Sequence, residues 1–454
     1  MLFNSIIFLF GFLPWALLGF WLLNRYQNAR LWFLCVASVV FYGYWDWRFV
    51  PLLVGAIIVN WLAAQAYIKT KQRWILVVGI IVNLISLGLF KYLGFFAEIA
   101  QEATGWQGSF ARLALPLGIS FFTFHNIIYL ADLLKGRAPR YGFRDYALYI
   151  ALFPQILAGP LVRHNEIVPQ FSKAPLRDGF YERLARGMVL LLIGLAKKIF
   201  LADELAHIAD PVFAKAAHGV ITTGQAWTAV LGFPLQIYFD FSGYSDMAIG
   251  IALMLGFMLP YNFDAPYRAI SLSQFWRRWH MTLMRFLRDY VYIPLGGNRS
   301  GTIRQCLNAI ITFLLGGLWH GAGWTFIIWG GMHGVGLAIG VLWRKWFKPL
   351  PVAISWPLLI LFLIVTWIFF RAPSLAAVHQ IFTALAGHAE HGRFRGMSTM
   401  LVAAAIALIG PTSQVFVERL KPSLWLAAAT SLAAVVILFK LNGSPAYEFI
   451  YFHF

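Results

Sequence analysis

Apolar residues run along this chain in blocks that approach the ~20 residues needed to cross a bilayer core, separated by short polar stretches. The first block runs from the N-terminus to Leu23 and stops before Arg25 and Arg30. It has neither a basic leader nor a small-residue cleavage site, so it reads as a first membrane span rather than a signal peptide. A second block, Leu31 to Trp45, ends at Trp45-Asp46-Trp47-Arg48, aromatics suited to a membrane interface. A third reaches Tyr67 and is followed by Lys69, Lys71 and Arg73. A fourth, Trp74 to Phe90, leads to Glu98 and Glu102, and a fifth, Leu113 to Leu134, to Lys135, Arg137, Arg140 and Arg144. Positive clusters follow blocks one, three and five, which by the positive-inside rule places the N-terminus outside.

Beyond Arg144 the pattern is less regular. Tyr146 to Leu161 is apolar but contains Pro154, Gly159 and Pro160. Broken backbone at membrane depth is tolerated only inside protein or along a cavity. Gly179–Leu201, Trp227–Phe239, Met247–Leu259, Leu307–Trp319, Trp324–Trp343, Ile354–Phe370, Met400–Ile409 and Leu424–Leu441 supply further apolar segments. The reading is an all-α polytopic membrane protein with about 10 to 12 transmembrane and re-entrant helices, forming a single integral-membrane domain over residues 1–454. No internal repeat is visible.

One segment, 271–292, reads SLSQFWRRWHMTLMRFLRDYVY. Placed on a helix at about 100° per residue, Arg277, Arg278, Arg285 and Arg288 share one face and large apolar side chains the other. That predicts an amphipathic helix lying at an interface or roofing a cavity, with His280 on the seam between the faces. A surface anchor with an incidental histidine fits the same pattern.

Composition sharpens the picture. Of 454 residues, 60% are hydrophobic and only 12% charged, against about 25% charged in soluble domains. A soluble enzyme, a disordered chain and a disulfide scaffold are excluded. The +18 formal charge is explained by basic loops on the cytoplasmic side of an anionic membrane, so membrane lipid and not nucleic acid is the expected partner. The two cysteines, Cys35 and Cys306, lie in apolar stretches, and no metal-ligand spacing is present.

Candidate chemistry is sparse. In Gly316-Gly-Leu-Trp319-His320-Gly-Ala-Gly323, a histidine stands between long apolar blocks, with glycines that would let a ligand approach the backbone. Imidazole is a natural general base near neutral pH; a packed, hydrogen-bonded histidine is the alternative. His333 lies thirteen residues further on. The stretch Tyr238-Phe-Asp240-Phe-Ser-Gly-Tyr-Ser-Asp246 holds two acids that could do acid–base work, bind a cation, orient a histidine, or satisfy backbone where a helix unwinds near Gly243. No nucleophile elbow, P-loop, zinc-protease or dinucleotide motif is found.

Several stretches, in order along nearly the whole chain, carry a resemblance. They are Leu115-Pro-Leu-Gly-Ile-Ser-Phe-Phe-Thr-Phe124, Phe153-Pro-Gln-Ile-Leu-Ala-Gly-Pro-Leu-Val-Arg163, Tyr238 to Asp246, and Phe275-Trp-Arg-Arg-Trp-His280. Arg288 to Arg299, Gly317-Leu-Trp-His-Gly321, Trp329-Gly-Gly-Met-His-Gly334 and the closing Phe449-Ile-Tyr-Phe-His-Phe454 complete the set. Together the chain resembles the membrane-bound O-acyltransferases, in particular their bacterial alginate O-acetyltransferase-like branch. His125 and Thr325 depart from the glutamine and asparagine expected in many relatives, which bears on donor or acceptor preference.

The resemblance implies a ring of helices around a funnel or tunnel, with His320 and His280 as the catalytic pair. Asp240, Asp246, Trp319, His333, Arg277 and Arg278 would then bind substrate or support that pair. It implies no tightly bound cofactor and no metal. Acetyl-CoA would be the donor, and an exported or cell-wall polysaccharide of alginate, cellulose or peptidoglycan type the destination. A periplasmic serine-esterase-type acetyltransferase and polysaccharide machinery would be partners at the bacterial inner membrane. The basic face of 271–292, with Lys173, Arg177 and Arg183, could attract the anionic donor, although membrane anchoring explains those charges equally. D-alanyl transfer from a carrier protein toward teichoic acid is the alternative within the class. A transporter or channel is the alternative outside it.

Overall fold

A computed structural model describes residues 1–105, 114–421, 423–442 and 447–452. Leu113, where the fifth block was expected to start, and His453 and Phe454 of the closing motif lie outside the described residues. Among the described residues all regular structure is helical, as the lack of water in a bilayer demands of a chain that must satisfy its own backbone. Among the described residues five helices are long and apolar enough to cross a membrane: Trp47–Thr70, Arg73–Thr104, Trp324–Trp346, Val352–Arg371 and Leu424–Leu441. Met397–Leu408 and Ser413–Arg419 qualify only as a pair bent by 62°. The chain is an all-α, multi-pass membrane protein.

Three expectations are revised. The fourth block is part of a 32-residue helix, Arg73–Thr104, about 48 Å long at 1.5 Å per residue. Trp227–Phe239 and Met247–Leu259 do not form separate helices. One helix, Thr223–Met254, runs through both Pro234 and Gly243, so no unwinding near Gly243 exists for Asp240 or Asp246 to satisfy. The third revision is at 271–292, which is not one helix. It is Leu272–Trp276, a turn, Met281–Leu287 and a π-helical turn, Arg288–Tyr292.

The chain divides into two compact units. The first comprises 1–195, 244–260 and 417–448. Here Asn60 and Asn83, on successive helices, exchange side-chain hydrogen bonds of 3.3 and 2.6 Å, the kind of polar pairing that joins helices where lipid offers no competing partner. The broken stretch after Arg144 behaves as the physics requires: residues 146–162 are all buried. Ser38 Oγ accepts from the Phe153 N–H at 3.1 Å, and the Gln155 amide donates to the Tyr149 carbonyl at 2.6 Å. Protein groups thereby replace the helix bonds that Pro154 and the turn remove.

The second unit comprises 196–243, 261–416 and 449–454. At its centre the helices Thr302–His320 and Trp324–Trp346 form a tight hairpin. Their backbones approach so closely that a Cβ on Gly317 would stand 2.3 Å from the Phe326 carbonyl oxygen, and one on Gly330 2.3 Å from that of Phe313. Only glycine permits this approach, the small-residue packing typical of membrane helices. Around it lies a core that includes Phe233, Trp276, Trp279, Trp329, Trp367 and Phe370.

Candidate functional site

His320 is the last residue of its helix, after which the chain runs extended through Gly321. Its ring is buried, 5% exposed, and walled by aromatics. Trp319 lies 4.6 Å away between centroids, Trp329 and Phe370 each 5.1 Å. Two of the glycines near it, Gly317 and Gly321, are taken up by packing. Gly317 admits the neighbouring helix, and a Cβ on Gly321 would meet the Phe326 ring at 2.1 Å.

His280 occupies the break in the 271–292 segment. It caps Met281–Leu287 in a left-handed conformation, φ 43° and ψ 51°, a region that non-glycine residues enter at a cost of about 1–2 kcal/mol. The surrounding contacts enforce it. The Asp264 N–H donates to the Arg278 carbonyl at 3.0 Å, and the Met281 N–H to the Asn262 carbonyl at 2.9 Å. The Thr282 hydroxyl donates to Asn262 Oδ1 at 2.6 Å. Strain held in place this way is a feature of functional sites. The kink turns His280 into the core, 1% exposed, edge-on to Phe241 at 4.6 Å and 6.3 Å from Trp319. Position 280 lies outside the spanning helices, and burial pushes its imidazole down to about 3, so it is neutral at physiological pH and retains one N–H to donate.

His333, fully buried, completes the row. Its Nδ1 accepts from the Trp276 indole N–H at 3.2 Å, and its ring lies 4.7 Å from Trp329. Its Nε2 and the Trp329 indole N–H have no hydrogen-bond partner among the described residues. Buried polar atoms in that state cost about 1–3 kcal/mol each, which is commonly tolerated where a substrate or water completes the set. The sequence-expected residues His280, Trp319, His320 and His333 thus share one aromatic-lined site within one unit.

The other expected residues have other places. Asp240 accepts from Lys198 Nζ at 2.6 Å and from the Ile450 backbone N–H at 2.7 Å. Lys198 also pairs with Asp203 at 2.9 Å. Asp240 is therefore a buried anchor for a cation and a backbone segment. Asp246, also buried, belongs to the first unit. Arg277 is exposed and bonds Ser273 Oγ at 3.2 Å; Arg278 contributes its carbonyl to the kink. Arg177 and Arg183, grouped above with the anionic donor, cap backbone carbonyls of Ala174, Gly256, Pro175 and Arg177 in the first unit. His125 is buried in the first unit against Tyr149, centroids 5.3 Å apart.

Sequence reading missed two features. One is Lys198, whose partner lies 42 residues away. The other is a buried relay in the first unit: Asp132 Oδ2 to His164 Nε2 at 3.2 Å, and His164 Nδ1 to the Tyr141 hydroxyl at 3.0 Å. No local motif marks either, since each joins residues distant in sequence. Among the described residues no group of three or more His, Cys, Asp or Glu is placed to hold a metal.

Comparison with known proteins agrees with this architecture. The model of the membrane-bound O-acyltransferase family matches residues 119–378, a stretch that contains all three site histidines. The peptidoglycan O-acetyltransferase of Helicobacter pylori is 40% identical over 427 residues, covering 85% of this chain and 80% of that protein. The "Probable alginate O-acetylase AlgI" of Pseudomonas aeruginosa is 41% identical over 399 residues, covering 85% and 75%. The teichoic acid D-alanyltransferase of Lacticaseibacillus rhamnosus is more distant, 23% identical over 352 residues, covering 72% and 84%. The chain belongs to the membrane-bound O-acyltransferase family and is an O-acyltransferase.

Proposed function

We propose that this enzyme transfers acetyl groups from acetyl-CoA, supplied from the cytoplasm, toward hydroxyls of an exported or cell-wall polysaccharide, with His320 as general base. The chain would act in the bacterial inner membrane beside a periplasmic serine-esterase-type acetyltransferase that completes delivery. The observation that carries this reading is a buried imidazole at a helix end, inside an aromatic wall and beside two buried polar atoms without partners. The similarity to O-acetyltransferases acting on peptidoglycan and alginate supports the acetyl group and the polysaccharide class.

In this scheme His320 takes the proton of an acceptor hydroxyl as that oxygen bonds to the thioester carbonyl carbon. The C–S bond of the resulting tetrahedral species breaks, and the leaving thiolate recovers the proton from the imidazolium. The neutral His280 N–H donates to the oxyanion. The aromatic wall keeps water from competing for the acyl group. D-alanyl transfer would use the same histidines, but it finds support only from the more distant relatives.

The test uses protein in nanodiscs with radiolabelled acetyl-CoA, comparing wild type, His320→Ala and His280→Ala. Thioester cleavage and label transfer that depend on His320 support the reading. Cellular O-acetylation unchanged in His320→Ala would remove His320 from the mechanism. Turnover of a D-alanyl carrier protein in place of acetyl-CoA would replace the donor.

A further inference from the structure

The second unit also holds an apolar cavity of about 260 Å³ between three of its helices. None of the three site histidines lines it. Leu231 and Leu235 come from Thr223–Met254, Ile360 and Ile364 from Val352–Arg371, and Met400 and Ala404 from Met397–Leu408. The lining contains no charged residue, and its two polar side-chain atoms are already bonded. The Tyr267 hydroxyl donates to the Pro234 carbonyl at 2.5 Å, and the Trp356 indole N–H to the Tyr267 carbonyl at 2.9 Å. A polar guest would find no partner here and would be buried at a cost, so the wall accepts hydrocarbon. Met397 and Leu401 at its edge are 56% and 61% exposed, which makes the cavity a groove open along Met397–Leu408.

Length narrows the choice of hydrocarbon. The lining runs from the first residue of Met397–Leu408 to the last. Its 12 residues rise about 18 Å, close to the ~15 Å of one leaflet, half of a ~30 Å bilayer core. The next helix, Ser413–Arg419, departs at 62°. A groove one leaflet deep suits a phospholipid tail and is too short for a partner's spanning helix of ~20 residues.

Charge narrows it again. Phe394, which also lines the groove, stands between Arg393 and Arg395, both exposed. Their loop is fastened to the start of Thr223–Met254. The Thr223 N–H donates to the Glu390 carbonyl at 2.8 Å, the Gly224 N–H to the His391 carbonyl at 2.7 Å, and the Arg395 N–H to Thr228 Oγ1 at 3.0 Å. Among the described residues neither guanidinium has an ion pair or a side-chain hydrogen bond, and Glu390, the one acid of this loop, pairs with neither. Two free guanidinium forks flanking an apolar groove residue match a phosphate carried above a buried tail.

We propose that this groove binds one anionic phospholipid from the adjoining leaflet, with a tail between the three helices and the phosphate at Arg393 and Arg395. The tail alone does not select, because lipid tails are as apolar as the leucines they touch. Selection comes from the headgroup: phosphatidylglycerol presents a net negative charge, whereas phosphatidylcholine adds a cation that the arginines repel. The site is separate from the acyl-transfer histidines and does not depend on which donor they use.

The experiment titrates full-length protein in detergent with dioleoyl phosphatidylglycerol or dioleoyl phosphatidylcholine and counts bound lipids by native mass spectrometry. Wild type should hold one phosphatidylglycerol about 25-fold more tightly than phosphatidylcholine, about fivefold for each arginine. Arg393→Gln/Arg395→Gln should bring the two lipids within about twofold of each other, while Arg393→Lys/Arg395→Lys, which keeps the charge, should retain most of the preference. Ala404→Phe fills the groove and should weaken both lipids; Ala404→Leu fills it less, should weaken both by less, and carries the test if the phenylalanine prevents folding. A glutamine pair with the wild-type preference would overturn the headgroup assignment. Folded Ala404 variants that bind both lipids as wild type does would overturn the groove. Displacement of the lipid by an equal concentration of free glycerophosphoglycerol would reduce the site to a phosphate contact without a tail and overturn it as well. A lipid-free dimer in place of a lipid-bearing monomer would give the groove to a second copy of the chain.

Discussion

The 302–346 hairpin and the 271–292 segment each carry a histidine of the site, and they hold it by opposite means. In the hairpin, glycine removes atoms so that two regular helices touch, and His320 and His333 follow from helical geometry alone. In the segment, regular helix is given up at one residue, and His280 is aimed inward by a left-handed turn that neighbouring hydrogen bonds enforce. The first arrangement is relaxed and fails by overcrowding. The second stores strain and fails by relaxing.

The largest expected effect separates the histidines by role. His320→Ala should lower acyl transfer about 10²- to 10⁴-fold, the worth of a general base, with an unchanged thermal unfolding profile; a loss below tenfold would remove it from the chemistry. Next comes crowding. Gly330→Ala places a Cβ 2.3 Å from the Phe313 carbonyl and should cost about 1–3 kcal/mol, read as a lowered unfolding midpoint together with lost activity.

The strained side is tested by a pair. His280→Asn, able to occupy the left-handed region, should fold better than His280→Val by about 1–2 kcal/mol, although both lose the ring and most transfer activity. Equal stability would mean that the turn is not what the residue type decides. His333→Phe, which removes the acceptor of the Trp276 N–H, should cost about 1 kcal/mol.

A separate effect is in pH. The His280 ring titrates at about 3 folded against 6.5 unfolded, so below 6.5 the unfolded chain binds the extra proton. Wild type should therefore lose stability as pH falls from 6.5 toward 3, more steeply than His280→Asn. Parallel profiles would refute the assignment.

Much of this was legible in the sequence. The apolar blocks were read correctly as those of an all-α multi-pass membrane protein, and the interrupted stretch after Arg144 as buried broken backbone. Trp319-His320 and His333 stood out because polar residues are rare at membrane depth. The kink was not legible. A helical wheel assumes the continuity it is meant to test, and position 280 carries no glycine or asparagine to announce a left-handed residue. Gly317 and Gly321 were noticed but given to a ligand, because a sequence shows that a residue is small without showing what fills the space. Asp240 was grouped with the site because acids in apolar surroundings attract functional readings. Its partners, Lys198 and the Ile450 backbone, lie too far along the chain for any local pattern to reveal.

That last contact also sets a schedule. Ile450 is made 210 residues after the aspartate it binds, a delay of roughly 10 to 40 seconds at ordinary elongation rates of about 5–20 residues per second. Throughout that interval Asp240 lacks its Ile450 partner, and all three site histidines are synthesised within it, ahead of Ile450. The second unit therefore has its three histidines in hand before it is latched, which happens only once the Ile450 segment has been made. A half-made enzyme in the membrane has its histidines but not yet its lock.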